Sequence, residues 1–281
     1  MANHSASGSY FTMNDHVSLA SSLTAQPQGT LDDTHPADSS RQLTFEKLAE
    51  LHRLLHRRMR DRNWDLHPHW DRARVISSTT AACRNEIDGL TLAYLRSYEQ
   101  VLLVERLMGR EGMKAASTAD SRRHPAIEVR VTPTNFAIEL VLPPTAWWDQ
   151  RNLIGKLSIA RHRTTLRSMI QRMDGEYMFG FWDGCQLGEM HVTNRQIARG
   201  SYLDDWMSTF SDGTDWLRVG MWYEPEHEAL SQERILPELI HRIGALYNLY
   251  TFLLWTGNNN FHSFYHQSTG AASSTPRAKD Y

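Results

Sequence analysis

The order of apolar and polar residues predicts that the folded part of the chain begins with helices. Over residues 43–59 the apolar side chains recur at helical spacing and form one stripe, which predicts a first helix. A second stripe over residues 80–108, followed by Gly109, predicts a second helix. Residues 43–112 are therefore expected to form a helical pair.

Further along the chain the apolar spacing changes from helical to alternating. Alternation over residues 127–131 and 136–142 predicts a β-hairpin, with Pro133 in its turn. The elements expected after it are a helix (150–173), a strand (177–182), a short strand (186–192), a helix capped by Thr193 (to 210) and a strand (216–223). This order favours a sheet with helices on one face.

An aromatic frame, Tyr-x-Phe-x-x-Trp-x-Gly, occurs twice in the second half of the chain. It begins at Tyr177 and again at Tyr250, and each copy follows an amphipathic run. If the copies correspond, residues 250–255 form the last strand, and the sheet contains two related strand-helix-strand units. Chance recurrence of aromatic residues is the alternative interpretation.

The fold class predicted from these patterns is α+β, with a mostly antiparallel sheet that follows two N-terminal helices. One domain is expected over residues 43–267, with its sheet part at 125–257. Residues 1–42 and 268–281 are rich in small and polar side chains and poor in large apolar ones. Both tails are therefore predicted to be disordered.

Composition limits the classes of function. The formal net charge of the 281 residues is -2, so no overall field attracts nucleic acid or an anionic membrane. The two cysteines, Cys83 and Cys185, form no C-x-x-C pair, which favours a reducing cytoplasm over a disulfide framework. No run of about 18 apolar residues occurs, so a membrane-spanning segment is not expected.

The sequence offers one candidate metal site. His67 and His69 would point the same way in an extended segment, and Asp71 follows them. His262 and His266 would share one face of a helix. Imidazole and carboxylate groups bind divalent metals such as zinc, iron or manganese, so these residues suggest a metal-dependent hydrolase or nuclease. Histidines that only pack and cap are the structural alternative.

Candidate acid or base groups follow predicted strands, where sites are often built. They are Asp149, Asp183 and Glu224. Carboxylates of this kind act in catalysis when a pocket shifts their pKa. Solvated loop carboxylates are the alternative interpretation.

Recognition residues are more plentiful. The chain contains nine tryptophans, and those at predicted element ends are Trp64, Trp70, Trp147 and Trp148. A basic run includes Arg57, Arg58 and Arg60, and a second basic patch comprises Arg161, His162, Arg163 and Arg167. Arginine neutralises phosphates and aromatic rings stack on unpaired bases, so single-stranded nucleic acid is one candidate ligand. A solvated helix face is the structural alternative.

Signature motifs of several enzyme classes are missing from the sequence: the nucleophile elbow, the phosphate-binding loops and the metalloprotease H-E-x-x-H. The leading hypothesis is therefore a non-catalytic binding or interaction protein, whose partner is another protein or a second copy of the chain. The metal-dependent enzyme and the nucleic-acid-binding protein are the alternatives.

Overall fold

The structure, a computed structural model, describes residues 8–20, 36–78, 89–107, 119–184 and 186–261. These residues form an α+β fold, as the sequence predicts, in which helices pack against an antiparallel sheet.

The sheet has eight strands within the described residues. They are β1 (His67–Pro68), β2 (Ile76–Ser77), β3 (Leu90–Leu95), β4 (Ala126–Val131), β5 (Phe136–Leu142), β6 (Met178–Gly180), β7 (Val192–Thr193) and β8 (Leu217–Tyr223). Their order is β1-β3-β4-β5-β8-β6-β7, and β2 also pairs with β3. Every pairing is antiparallel.

The described residues also form eight α-helices, which lie before, between and after the strands in chain order. They are α1 (Met13–Ala20), α2 (Pro36–Asp61), α3 (Tyr98–Leu107), α4 (Trp147–Leu157), α5 (Ala160–Gln171), α6 (Asn194–Ile197), α7 (Tyr202–Ser208) and α8 (Ile235–Leu253). The predicted helix over residues 150–173 corresponds to α4 and α5, which are separated near Ser158.

One sheet face is apolar and carries the core. Because side chains alternate along a strand, Ile127 and Val129 of β4 share this face with Ile138 of β5. Helices α2 and α8 contact the sheet, and α4 and α5 pack against α8. Most buried apolar residues of these elements belong to one continuous cluster, and burial of such a cluster is the dominant favourable term in folding.

The predicted hairpin and the predicted helix cap are confirmed. Strands β4 and β5 pair in register from Ala126↔Val141 to Val131↔Phe136, and Thr132 closes the turn by accepting the Asn135 N–H at 3.0 Å. Thr193 caps α6, since its hydroxyl accepts the Gln196 N–H while the Gln196 side chain accepts the Thr193 N–H.

The predicted N-terminal tail is wrong where the structure describes it. Residues 13–20 form α1, and Phe11 and Leu19 are buried in the core. The Tyr10 hydroxyl donates to the carbonyl of Lys47 at 2.9 Å, and α2 already begins at residue 36. A few large apolar residues are enough to dock this segment, although its average composition is polar. The remainder of residues 1–35 and the C-terminal residues 262–281 lie outside the described residues.

The second predicted helix is also wrong over residues 90–95. Residues 90–95 form the strand β3, and only residues 98–107 are helical, whereas 79–88 lie outside the described residues. Leu90, Leu92 and Tyr94 alternate onto the core face, and this spacing overlaps with the i, i+4 spacing of a helix. Pairing with β4 along all six residues decides in favour of the strand.

The proposed duplication is wrong. Phe179 lies in a strand, as expected, but Tyr250 and Phe252 lie in the last turns of α8. A buried stripe at helical spacing is formed by Leu246, Leu249, Tyr250 and Leu253. The second copy of the aromatic frame therefore begins inside a helix. The two copies therefore have different structures, and the sheet does not contain two related strand-helix-strand units.

Candidate functional site

The C-terminal half of α2 has one buried face and one cationic face. Leu48, Leu51, Leu55 and Met59 are fully buried against the core. Since these positions fall on one side of a helix, the residues between them point to solvent. The exposed ones include Arg53, Arg57, Arg58 and Arg60, and Arg62 is exposed directly after the last residue of α2. We call these five arginines the α2 arginine surface.

Most other arginines that the structure describes have a carboxylate oxygen within 4.0 Å of the guanidinium group, whereas these five do not. Within the part of the chain that the structure describes, no carboxylate lies within 4.0 Å of their guanidinium nitrogens. By contrast, Arg163 and Arg167 of the second predicted basic patch both face Asp204, at 3.8 and 3.6 Å. The structure thus pairs much of the second patch with a carboxylate, whereas none of the described carboxylates pairs with the α2 arginine surface.

A stack of three rings runs along the same part of α2. The His52 and His56 rings are 5.6 Å apart with an interplanar angle of 7°, and His52 also stacks on Tyr94 of β3 at 5.8 Å. The Nδ1 atom of His52 lies 3.0 Å from the Tyr94 hydroxyl. His52, Arg53, His56, Arg57, Arg60 and Asp61 line a surface groove, which we call the α2 groove.

Burial and neighbouring groups lower the pKa of both imidazoles. Burial, with the smaller influence of His56, lowers the pKa of His52 below 6.5. Burial, followed by repulsion from Arg60 and His67, lowers the pKa of His56 in the same direction. At pH 7 the groove therefore combines permanent guanidinium charge with two neutral imidazoles.

Trp64 and Trp70 are packed against other rings. Trp64 stacks on Tyr247 of α8 at 5.4 Å, and the guanidinium of Arg62 lies 5.7 Å from its ring centroid. Trp70 contacts the rings of His69 and Tyr98, at 4.9 and 5.5 Å. Both tryptophans are therefore partly occupied by internal contacts.

Trp147 and Trp148 lie at the start of α4. Trp148 packs on Trp255 at 5.6 Å, whereas Trp147 contacts Trp148 edge to face and keeps 41% of its surface exposed. The Arg151 guanidinium covers part of the Trp147 ring at 5.4 Å and pairs with Asp212 at 2.8 Å. Of the four candidate tryptophans, Trp147 offers the most surface for a partner.

The candidate metal ligands His67 and His69 have protein partners. The Nε2 atom of His67 lies 2.8 Å from Asp65. In His69, Nδ1 accepts the Asp71 N–H at 3.1 Å, so Nε2 carries the proton and faces Ser121 at 3.2 Å. Over the described ranges, no group of three His, Cys, Asp or Glu residues could hold a metal ion. His262 and His266 lie outside the described residues, so their part in a metal site stays a prediction.

The three candidate carboxylates occupy different environments. Asp149 is buried, forms an ion pair with Arg96 and accepts the Trp255 N–H at 2.7 Å, which ties α4 to the end of β3 and to the segment after α8. Asp183 and Glu224 are exposed in the segments that follow β6 and β8. Asp149 thus has a structural role, and the other two stay candidates.

The sequence interpretation missed a buried charged cluster on the second face of the sheet. Glu139 of β5 pairs with Arg130 of β4, with nitrogen and oxygen 2.5 Å apart, and with Arg218 of β8. All three side chains are fully buried. The signal was present, since Glu128, Arg130 and Glu139 alternate with apolar residues, but such positions are ordinarily interpreted as facing solvent.

The loop after β6 contributes to the cover of this charged face. The Trp182 ring lies 5.3 Å from the Arg218 guanidinium, and Arg218 donates to the carbonyl of Gly184 at 2.6 Å. A Cβ atom at Gly180 would collide with Trp182, at 2.2 Å, so glycine permits this close approach. The cluster is therefore enclosed.

A second buried network holds the chain after α8. Lys156 donates to the carbonyl of Phe252 at 2.5 Å and to the side chain of Asn259. Asn152 donates to the carbonyl of Leu253 at 3.0 Å. Burial lowers the pKa of Lys156 to about 8. Since these partners include backbone carbonyls, the network fixes the path of the chain.

No protein-family model matches this chain, and no curated protein matches its sequence. Among the described residues, no helix combines the length and the apolar character needed to cross a membrane.

Proposed function

We propose that the protein is a non-catalytic binding protein and that its α2 arginine surface engages an acidic partner protein. The observation that carries the proposal is the lack of neutralising carboxylates around five exposed arginines in the described part of the chain. Guanidinium groups make strong, often bidentate hydrogen bonds to carboxylates, so such a surface complements an acidic one. The composition favours a cytoplasmic setting for this interaction.

The environment of the buried polar groups supports binding rather than catalysis. Glu139 and Asp149 are buried and form ion pairs with buried arginines. The apolar cavity between the sheet and α4, α5 and α8 measures ≈ 30 Å³, which is room for about two or three water molecules. A cavity of that size does not accommodate a substrate.

Single-stranded nucleic acid is the second candidate ligand, and the rings beside the arginines favour it. The faces of those rings are partly occupied, however, because His52 is stacked between His56 and Tyr94, and Trp64 lies between Tyr247 and Arg62. Base recognition by stacking needs free aromatic faces. The surface therefore offers charge more than stacking, which is why an acidic protein is preferred.

Charge reversal tests the proposal. The variant Arg57→Glu, Arg58→Glu, Arg60→Glu is compared with the matched control Arg161→Glu, Arg195→Glu, Arg199→Glu, which makes the same charge change at exposed positions of α5 and α6 and the turn after α6. The probes are polyglutamate and a single-stranded oligothymidine, titrated by fluorescence anisotropy at several salt concentrations.

We expect wild-type protein and control to bind polyglutamate with an affinity that falls with salt, and the α2 variant to bind at least about tenfold more weakly. An equal loss of polyglutamate affinity in both variants would show that only the net charge of the protein matters. It would reject the α2 arginine surface as the binding site. Tighter binding of oligothymidine at equal probe charge would favour nucleic acid. Absence of binding to either probe at low salt would contradict the proposal. A second copy of the chain as partner would instead appear as salt-sensitive self-association in sedimentation experiments.

The metal-dependent alternative has its own test. Elemental analysis of purified protein is compared with the His67→Ala, His69→Ala double variant. Metal that is present in wild-type protein and lost in the variant would support a metal-dependent hydrolase or nuclease. Metal that is absent, or that persists in the variant, would reject these two histidines as ligands.

A further inference from the structure

The α2 groove has more hydrogen-bond donors than an acidic side chain needs. His52, His56 and Arg60 follow one another at four-residue intervals, so they lie in a row on one side of the helix. Arg53 and Arg57 form a parallel row beside them. A carboxylate has two oxygens and one negative charge, whereas a phosphate monoester has three terminal oxygens and nearly two charges at pH 7. The donor set therefore matches a phosphate better than a carboxylate.

The charged groups around the two imidazoles determine when they take up protons. On α2 they are Arg53, Arg57, Arg60 and Asp61. From β3 the imidazole of His52 meets the Tyr94 hydroxyl, and from β1 His67, which is paired with Asp65, acts on His56. Burial raises the pKa of Tyr94, so that this residue stays a phenol.

The contact with Tyr94 is compatible with both charge states of His52. A phenol can donate to a neutral imidazole nitrogen or accept from a protonated one. Protonation of His52 therefore does not break the 3.0 Å contact. In the empty groove the arginines oppose the added charge, whereas a bound anion would favour it.

This inference rests on the proposed function, because it assigns a ligand group to the same surface. We infer that the α2 groove is an oxyanion site that takes a phosphate group of a phosphorylated partner protein, and that His52 and His56 take up protons when the anion binds. Arg53, Arg57 and Arg60 bind the anion at any pH, and the imidazolium groups of His52 and His56 add donors to it as the pH falls. No covalent step is involved, and the protons come from solvent.

The first experiment uses inorganic sulfate as the probe, because sulfate is a tetrahedral dianion whose charge stays constant between pH 5 and 8. The Cε1–H resonances of His52 and His56 are followed by NMR in sulfate, in acetate and in chloride at equal ionic strength. We expect both titrations to move to higher pH in sulfate only, and sulfate to bind at least about fivefold more tightly at pH 5.5 than at pH 8. Identical titrations in all three salts would overturn the inference.

The second experiment separates the inference from the proposed function. The variant His56→Gln removes the outer ring of the stack and leaves the contact between His52 and Tyr94 in place. We expect it to lose about half of the pH dependence of sulfate binding, because His52 still takes up its proton, and to bind polyglutamate like wild-type protein at pH 8, where neither imidazole is charged. If the variant binds polyglutamate and the pH dependence of its sulfate binding is unchanged, the proton-linked site alone is rejected. If wild-type protein does not bind polyglutamate at all, the proposed function is rejected as well.

The third experiment tests the phosphoprotein partner. A peptide of alternating phosphoserine and glycine is compared at pH 7.5 with the same peptide carrying glutamate, and with an oligothymidine of equal charge. We expect the phosphoserine peptide to bind at least about fivefold more tightly than the other two. Stronger binding of the oligothymidine would assign the groove to nucleic acid, and equal binding of all three would leave only non-specific charge attraction and overturn the phosphate assignment.

Discussion

Two arginine-rich regions of this protein have opposite environments. On the second face of the sheet, Arg130 and Arg218 are fully buried and share Glu139. The five arginines of the α2 arginine surface are exposed, and the described residues provide them with no carboxylate partner. The comparison shows that the same type of side chain is buried in an ion pair in one region and exposed to solvent in the other.

The cost of removing charge from water explains the difference. A buried guanidinium without a counter-charge is strongly destabilising, so Arg130 and Arg218 require Glu139. An exposed guanidinium keeps its hydration, and the α2 arginines therefore require no partner for folding. Substitutions in the sheet region should change stability, and substitutions on α2 should change binding.

The largest effect is expected for Glu139→Ala. This change leaves Arg130 and Arg218 buried without their shared carboxylate, which costs about 3–5 kcal/mol of unfolding free energy when one partner of a buried ion pair is removed. Urea unfolding followed by circular dichroism measures the loss. Exposed Glu224→Ala is the control and should change stability by less than about 0.5 kcal/mol. If Glu139→Ala also lowered the unfolding free energy by less than about 0.5 kcal/mol, the charged cluster would have to be hydrated.

A smaller effect is expected for Gly220→Ala, which tests how tightly the charged face is packed. Gly220 lies opposite Glu139, and an added Cβ would lie 2.6 Å from the Glu139 Cβ and from the carbonyl oxygen of Ile138. Overpacking of this kind costs about 1–3 kcal/mol. Gly257→Ala is the control, since no atom lies within 4 Å of its added Cβ. Equal urea midpoints for the two variants would contradict close packing at Gly220.

The comparison extends to histidines, because His16 is fully buried whereas His52 and His56 border a groove. Burial, the largest influence, lowers the pKa of His16 below 6.5, although the Thr132 carbonyl, Asp15 and Glu226 act in the opposite direction. Below about pH 6.5 the unfolded chain thus binds more protons than the folded one. The unfolding free energy should therefore fall as the pH drops from there through the lowered folded-state pKa.

The variant His16→Asn isolates this contribution. An asparagine amide can replace the Nδ1 donor that faces the Thr132 carbonyl at 2.6 Å, and it does not titrate. Urea midpoints between pH 7.5 and 5 should fall less steeply in the variant than in wild-type protein. Some slope should remain, because burial also lowers the pKa of His52, His56 and His162. An unchanged slope would exclude His16 as an acid-sensitive group.

Local signals predicted the parts of this fold that local interactions decide. The hairpin of β4 and β5 follows from strict alternation around Pro133, and the cap at Thr193 follows from a motif of four residues. Residues 90–95 and 250–255 were assigned wrongly because their apolar spacing fits both a helix and a strand, and tertiary packing makes the choice.

The candidate site was predictable only in part. The sequence identifies Arg57, Arg58 and Arg60 as a basic run, but the lack of nearby carboxylates depends on which elements the fold places beside α2. The same limit applies to the sheet, where Glu139 was not recognised because its burial requires the loop that carries Trp182. Residue type is local information, whereas the pairing of charges is a property of the assembled fold.

The smallest stability effect is expected for Arg58→Ala, which makes the contrast with Glu139 sharpest. Arg58 is exposed in the last turn of α2, so its removal should lower the unfolding free energy by no more than about 0.5 kcal/mol through the helix dipole.

The same variant has a second readout in binding. If an oligothymidine binds this surface, the slope of log affinity against log salt should become shallower by about one unit. The exposed Arg199→Ala serves as the matched control and should change neither quantity. A large loss of stability in Arg58→Ala would mean that this arginine has a structural partner, and the division between a folding region and a binding region would then fail at this residue.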